Sequence, residues 1–167
     1  GSVMTYASLV FGWQYDDFRI KNTGLPVQLS ANRAVNCGWS FTVSGSGTMN
    51  VAYDMWLHTI NNPTYNSQPS EEIMVWLYRG GGAGPVGSRQ ATVTIGGTSW
   101  DLYRGTTVQP VYSFVRTANA TTAVVNMSQF LGDLVSRGWV QNSRYLSSVQ
   151  AGTEIFTGSG SVTTNGF

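Results

Sequence analysis

Eight carboxylates serve the whole chain of 167 residues: Asp16, Asp17, Asp54, Glu71, Glu72, Asp101, Asp133 and Glu154. Three of them, Asp54, Glu72 and Glu154, sit among apolar and aromatic residues in segments that alternate with a period of two. The alternation puts Tyr53, Met55 and Leu57, then Ile73, Val75 and Leu77, then Thr153 and Ile155, on faces suited to a core. The opposite faces carry Ala52, Asp54 and Trp56, then Glu72, Met74 and Trp76, then Gly152, Glu154 and Phe156. A carboxylate in register with Trp or Phe on a sheet face describes a sugar-binding groove, because sugar rings offer flat C–H faces for stacking and hydroxyls that need acceptors. Two such acids facing one another across a groove are the equipment for glycoside hydrolysis. The competing reading, ordinary acids on a half-solvated sheet face, fits any one of the three taken alone.

The remaining groups offer less chemistry. Asp16 and Asp17 lie in a polar stretch with Arg19 and Lys21 and read as a solvated loop, Asp101 as a strand-surface residue, and Asp133 as the solvent face of a helix. Cys37 and His58 are each the single residue of their type, so a His-based triad or a His/Cys zinc site has no second partner of its kind. His58 reads as a strand-end surface residue, and Trp100 and Trp139 as core.

The elements that must hold these side chains are strands. Gly, Ser, Thr and Asn supply 67 of the 167 residues and charged residues only 17, which disfavours helical architectures and charge-rich disorder. Strands are expected over Thr5–Phe11, Cys37–Val43, Met49–Leu57, Glu72–Leu77, Gln90–Ile95, Ser99–Tyr103, Val111–Arg116, Ser147–Phe156 and Ser159–Thr164. Gly96-Gly97 and Ser44-Gly45-Ser46-Gly47 read as hairpin turns, and Gly80–Pro85 as a surface loop. One helix is expected over 127–137, with apolar residues at 127, 130, 131, 134 and 135, a cap at Asn126 or Ser128 and a stop at Gly138. A formal net charge of +1 without a basic run gives no footprint for nucleic acid or an anionic membrane. No apolar run approaches the ~20 residues of a membrane-spanning helix. The sequons at Asn119 and Asn126 are common motifs in a chain of this composition.

Five segments, in order, resemble glycoside hydrolase family 12, the endo-β-1,4-glucanases and xyloglucan-specific endoglucanases. They are Asn50-Val51-Ala52-Tyr53-Asp54-Met55-Trp56-Leu57, Glu72-Ile73-Met74-Val75-Trp76-Leu77, Gly84-Pro85-Val86-Gly87-Ser88, Val111-Tyr112-Ser113-Phe114-Val115 and Gln150-Ala151-Gly152-Thr153-Glu154-Ile155-Phe156-Thr157-Gly158. The resemblance implies an all-β jelly-roll sandwich of two antiparallel sheets with a concave substrate cleft. It implies a retaining mechanism in which Glu72, not Glu71, is the nucleophile, Glu154 the general acid/base and Asp54 an auxiliary acid. Trp56, Met74, Trp76 and Phe156 become substrate-binding residues. No metal or organic cofactor is implied; the partner is a β-1,4-glucan or xyloglucan, and a secreted, monomeric enzyme is expected. A retaining pair predicts carboxyl groups about 5–5.5 Å apart.

Two departures accompany the resemblance. The family's further N-terminal strands, one of which bears a tryptophan platform, do not precede Tyr6, so residues 1–167 are expected to be one domain lacking those strands and exposing an edge. Ile155 also stands where the family commonly has proline. A non-catalytic β-glucan-binding module is the reading from another class, and a related jelly-roll xylanase a second enzymatic one.

Overall fold

The computed structural model describes residues 2–14 and 22–167, and the loop expected around Asp16 and Asp17 lies outside them. Its elements are β1 (Thr5–Gly12), β2 (Val27–Gln28), a 3₁₀ turn (Leu29–Ala31), β3 (Asn36–Gly45), β4 (Thr48–His58), β5 (Glu71–Gly80), β6 (Ser88–Ile95), β7 (Thr98–Thr106), β8 (Pro110–Arg116), β9 (Thr122–Asn126), α1 (Met127–Ser136), β10 (Tyr145–Thr157) and β11 (Gly160–Gly166). All nine expected strands and the helix are present. β2, the 3₁₀ turn and β9 are additions, each too short or too irregular in its alternation to stand out in sequence.

The large sheet has the order β1-β10-β4-β5-β8-β7-β6, with β2 pairing to the end of β10; the small sheet is β11-β3-β9. Pairing is antiparallel throughout except between β5 and β8, which run parallel because the β6–β7 hairpin intervenes. The two sheets are otherwise antiparallel, as expected. The hairpin itself turns at Gly96-Gly97 with φ of +59° and +74°, as a tight primed turn requires. Ser44–Gly47 does not close a hairpin: β3 belongs to the small sheet and β4 to the large one, so this turn carries the chain across the sandwich.

Alternate residues of the large sheet, among them Tyr53, Met55, Ile73, Val75, Trp100, Leu102 and Phe114, pack on Trp39 and Phe41 of β3 and on Met127, Phe130, Leu131 and Leu134 of α1. Each fully buried large side chain contributes about 1.5–3 kcal/mol relative to an exposed one. The helix starts where Asn126 Oδ1 accepts from Ser128 N at 3.1 Å and turns off at Gly138 with φ +70°. The same oxygen also accepts from Val35 N, and Asn119 is held by two hydrogen bonds to the Arg79 backbone, so both sequon asparagines are engaged in the fold.

Trp100 is core as expected, whereas Trp139 is half-buried, stacked on Tyr112 with Arg104 and Arg137 over its ring. Ala83 turns the Gly80–Pro85 segment inward, packing against Ala52, Met74, Trp76 and Val115 on the other face of the large sheet. The central strands β4 and β5 are thus buried on both faces.

Candidate active site

Three neighbouring strands present three rows of side chains on the face away from the core. Gln150, Gly152, Glu154 and Phe156 come from β10, Asn50, Ala52, Asp54 and Trp56 from β4, and Glu72, Met74 and Trp76 from β5. Register places Gln150 beside Asp54, Asp54 beside Met74 and Trp56 beside Glu72, so Asp54 and Glu72 are diagonal neighbours. On the far side of β10, Tyr6 of β1 is paired with Glu154.

The result is a hollow of about 310 Å³ lined by Asp54, Glu72, Glu154 and Trp56 together with Tyr6, Trp13 and Gln150. Met74, Trp76 and Phe156 adjoin it rather than line it. Met74 and Trp76 are buried in the floor, the Trp76 indole N–H directed at Met74 Sδ at 3.5 Å and its ring 6.4 Å from that of Phe156. A larger cavity of about 560 Å³ lies on the opposite side of β1 and β10, where Leu9 and Phe11 of β1 are exposed. Among the described residues its lining includes Arg33 and no Asp or Glu, in contrast to the three acids of the smaller hollow.

Each catalytic candidate has a different environment. Glu72 Oε2 accepts from Gln109 Nε2 at 3.0 Å, and that amide is oriented by Gln68, which donates to Gln109 Oε1. Glu154 Oε2 accepts from Asn50 Nδ2, while Glu154 N donates to Asn50 Oδ1 at 3.0 Å. Asp54 is 4% exposed and its Oδ1 has no hydrogen-bond partner among the described residues, so burial disfavours its ionised form.

Burial raises the proton affinity of all three acids. It is the main cause for Asp54, whose pKa lies well above the usual carboxylate range, with the charges of Glu72 and then Glu154 adding to it. Burial pushes Glu72 up to about 7, opposed by the Gln109 hydrogen bond and reinforced by the Glu154 charge. Burial also raises Glu154, against the hydrogen bond from Asn50. Sharing one buried hollow thus raises the proton affinity of all three acids, with the pKa of Glu72 at about 7, the condition for one to donate while another stays ionised.

Glu71 belongs to the other face: it is buried and paired with Arg144, Nε to Oε1 at 3.0 Å. Asp101 and Asp133 are also in ion pairs, with Arg89 and Arg137. His58 is not at the surface. It is 1% exposed, its ring 4.5 Å from that of Trp13, with Nε2 donating to Ser67 O at 3.4 Å and its pKa lowered by burial. Trp13 closes over it from the end of β1, edge-on to Trp56, its indole N–H bonded to Thr64 O at 2.7 Å.

Sequence alone does not single out Asn50, Gln109, Gln150, Tyr6 or Trp13. Asn50 and Gln150 can be reached by continuing the alternation back from Asp54 and Glu154 by four residues. Gln109 comes from the turn before β8 and has no local signal.

The profile of Glycosyl hydrolase family 12 matches residues 12–167. Endoglucanase S of Pectobacterium parmentieri is 38% identical over 168 aligned positions, covering 96% of this chain and 63% of that protein. The xyloglucan-specific endo-beta-1,4-glucanase A of Emericella nidulans is 39% identical, covering 79% of this chain and 56% of its own length. Among solved structures, the family 12 xyloglucanase from Bacillus licheniformis in complex with ligand superposes with a TM-score of 0.94 at 38% identity, over 99% of this chain and 73% of that one. The chain thus spans somewhat less than two thirds of the length of these two curated relatives. With the family profile running through β4, β5 and β10 and the three acids on the face these strands share, the chain belongs to glycosyl hydrolase family 12.

Proposed function

We propose that this chain carries the catalytic centre of a retaining, endo-acting hydrolase of β-1,4-linked glucans. The observation that carries the reading is the hollow itself, in which Glu72, Glu154 and Asp54 meet beside Trp56 and an aromatic floor. The ionised Glu72 attacks the anomeric carbon as the bond to the leaving oxygen breaks, and Glu154 passes its proton to that oxygen. Water then attacks the glycosyl-enzyme bond, Glu154 takes the water's proton, and Glu72 leaves as a carboxylate. Two inversions give net retention. Asp54, diagonal to Glu72 and favoured in its neutral form by burial, limits the negative charge around the nucleophile.

Relatives named endoglucanase and xyloglucan-specific endoglucanase support a β-1,4-glucan backbone as substrate, with xyloglucan the second reading. A polymer of that size is met outside the cell, which is the basis for an extracellular site of action.

The test is to incubate the protein with carboxymethyl-cellulose and with xyloglucan, following reducing ends and, by NMR, the first-formed anomer. New β-anomeric ends made by the parent and lost in Glu72→Gln support the reading. First-formed α-anomer would refute retention. Glucan binding with no new ends would make the chain a binding module, and hydrolysis by Glu72→Gln at the parent's rate would remove Glu72 from the mechanism.

A further inference from the structure

We propose that Asn50 is a positioning residue that assigns the proton of Glu154 to its Oε1 oxygen, and so aims the general acid at the scissile bond. The inference rests on the reading of Glu154 as acid/base, and on how these two residues interlock.

Gly152 pairs with Ala52 and Ile155 with Met49 in the β10–β4 register, and between those pairs side chains take over from the ladder. Thr153 Oγ1 donates to Asn50 O at 2.5 Å, Glu154 N donates to Asn50 Oδ1 at 3.0 Å, and Asn50 Nδ2 donates to Glu154 Oε2 at 2.5 Å. Asn50 is completely buried, so these bonds are not shared with bulk solvent.

The amide has one workable orientation. A backbone N–H can only donate, so the atom facing Glu154 N must be the Asn50 oxygen; turning the amide over would set N–H against N–H. That fixes the NH₂ group toward Oε2. An N–H likewise can only donate, so Oε2 must meet it with a lone pair. A proton on Oε2 directed at Asn50 would meet that donor, whereas a proton on Oε1 leaves the bond intact. The carboxylic acid that this arrangement favours is protonated on Oε1.

The same bond also favours the ionised state, which Glu154 must reach after donating and hold until it deprotonates water. Asn50 therefore acts on both halves of the cycle: it selects the oxygen that donates, and it opposes the rise in proton affinity that burial brings. Gln109 makes only the single bond to Glu72 and none to its backbone, so the two-point hold belongs to the acid/base.

The experiment compares the parent with Asn50→Asp, which keeps an acceptor for Glu154 N but removes the donor, and with Asn50→Ala. Two substrates are used: a cello-oligosaccharide, whose leaving group needs a proton, and 2,4-dinitrophenyl β-cellobioside, whose leaving group does not. The expected result is a fall in kcat/KM of about 10- to 100-fold on the oligosaccharide, part of what general acid catalysis supplies, with the aryl glycoside close to the parent. The basic limb of the oligosaccharide pH profile moves to higher pH in both variants. Equal losses on the two substrates, or an unmoved basic limb, would overturn the proposal and leave Asn50 a structural residue.

A second readout needs no substrate. With only three Glu in the chain, the carboxyl carbons can be labelled and titrated by NMR, and the Glu154 midpoint rises in both variants if Asn50 donates to it. An unchanged midpoint overturns the proposal. A parent that cleaves neither substrate while the midpoint shifts as expected would instead refute the hydrolytic reading and keep the Asn50–Glu154 linkage.

Discussion

Glu71 and Glu72 are consecutive residues of β5 whose carboxylates lie on opposite sides of the large sheet. Glu71 Oε1 is 3.0 Å from Arg144 Nε on the core side, while Glu72 Oε2 accepts the Gln109 amide in the acid-lined hollow. The division follows from strand geometry alone, since neighbouring side chains of a strand face opposite ways. Glu71→Gln should therefore leave the chemistry near the parent's rate but strand the partly buried Arg144 charge, costing about 1–3 kcal/mol of stability. Glu72→Gln should leave Arg144 paired and lower kcat by about four orders of magnitude or more. Urea unfolding and glucan hydrolysis on both variants check the pair, and a Glu71→Gln variant as inactive as Glu72→Gln would contradict this division of faces.

The same Glu72 burial fixes a dependence of stability on pH. Its pKa in the folded protein is raised from 4.5 to about 7, so between those values the folded state binds more protons than the unfolded one and stability falls as pH rises. Above pH 7 the folded protein carries a buried charge that Glu72→Gln removes. The variant should be more stable than the parent at pH 8, by about 3 kcal/mol, since each pKa unit corresponds to about 1.36 kcal/mol. Near pH 4 the two should converge. Thermal melts across this range measure the difference, and a gap that widened toward pH 4 would mean that folding lowers the Glu72 pKa instead of raising it.

Gln109 supplies a separate handle on the same carboxylate. Its hydrogen bond stabilises the ionised form of Glu72, so Gln109→Met, which keeps the length of the side chain and removes the donor, should raise the Glu72 pKa further. The acid limb of kcat/KM then moves to higher pH, while the rate on the plateau changes less. An acid limb that stayed in place would mean that another group sets it.

Asp54, Glu72 and Glu154 are legible in the sequence because each sits in a strand whose alternation is clean, and alternation determines the face. What decides the neighbours of each acid is cross-strand register, which a single segment does not encode. Gln109 reaches Glu72 because β5 and β8 run parallel with Glu72 beside Val111, a pairing set by the intervening hairpin. His58 ends a strand and looks solvated by position, yet Trp13, brought in at the end of β1, closes over its ring. Ser44–Gly47 has hairpin composition, but turn residues report that the chain bends and not which sheet it enters. β9 escapes notice because its five residues run straight into α1.

Gly152, two residues before Glu154, lies where β1 passes close against β10. A Cβ there would lie 2.5 Å from Ala7 O, 2.7 Å from Ser8 Cβ and 2.9 Å from Tyr6 Cε2, and the first of these is backbone that cannot rotate away. Gly152→Ala must then push β1 outward, an overpacking cost of about 1–3 kcal/mol. A chain of this size loses roughly 2–4 °C of Tm for each kcal/mol. Tyr6 is paired with Glu154 and lines the hollow, so the displacement should reach the site and lower kcat/KM on glucan as well as Tm. Measuring both on the purified variant tests the coupling: a lowered Tm with unchanged kcat/KM would show that β1 supports the fold without shaping the acid/base, and an unchanged Tm would show that the two strands separate without cost.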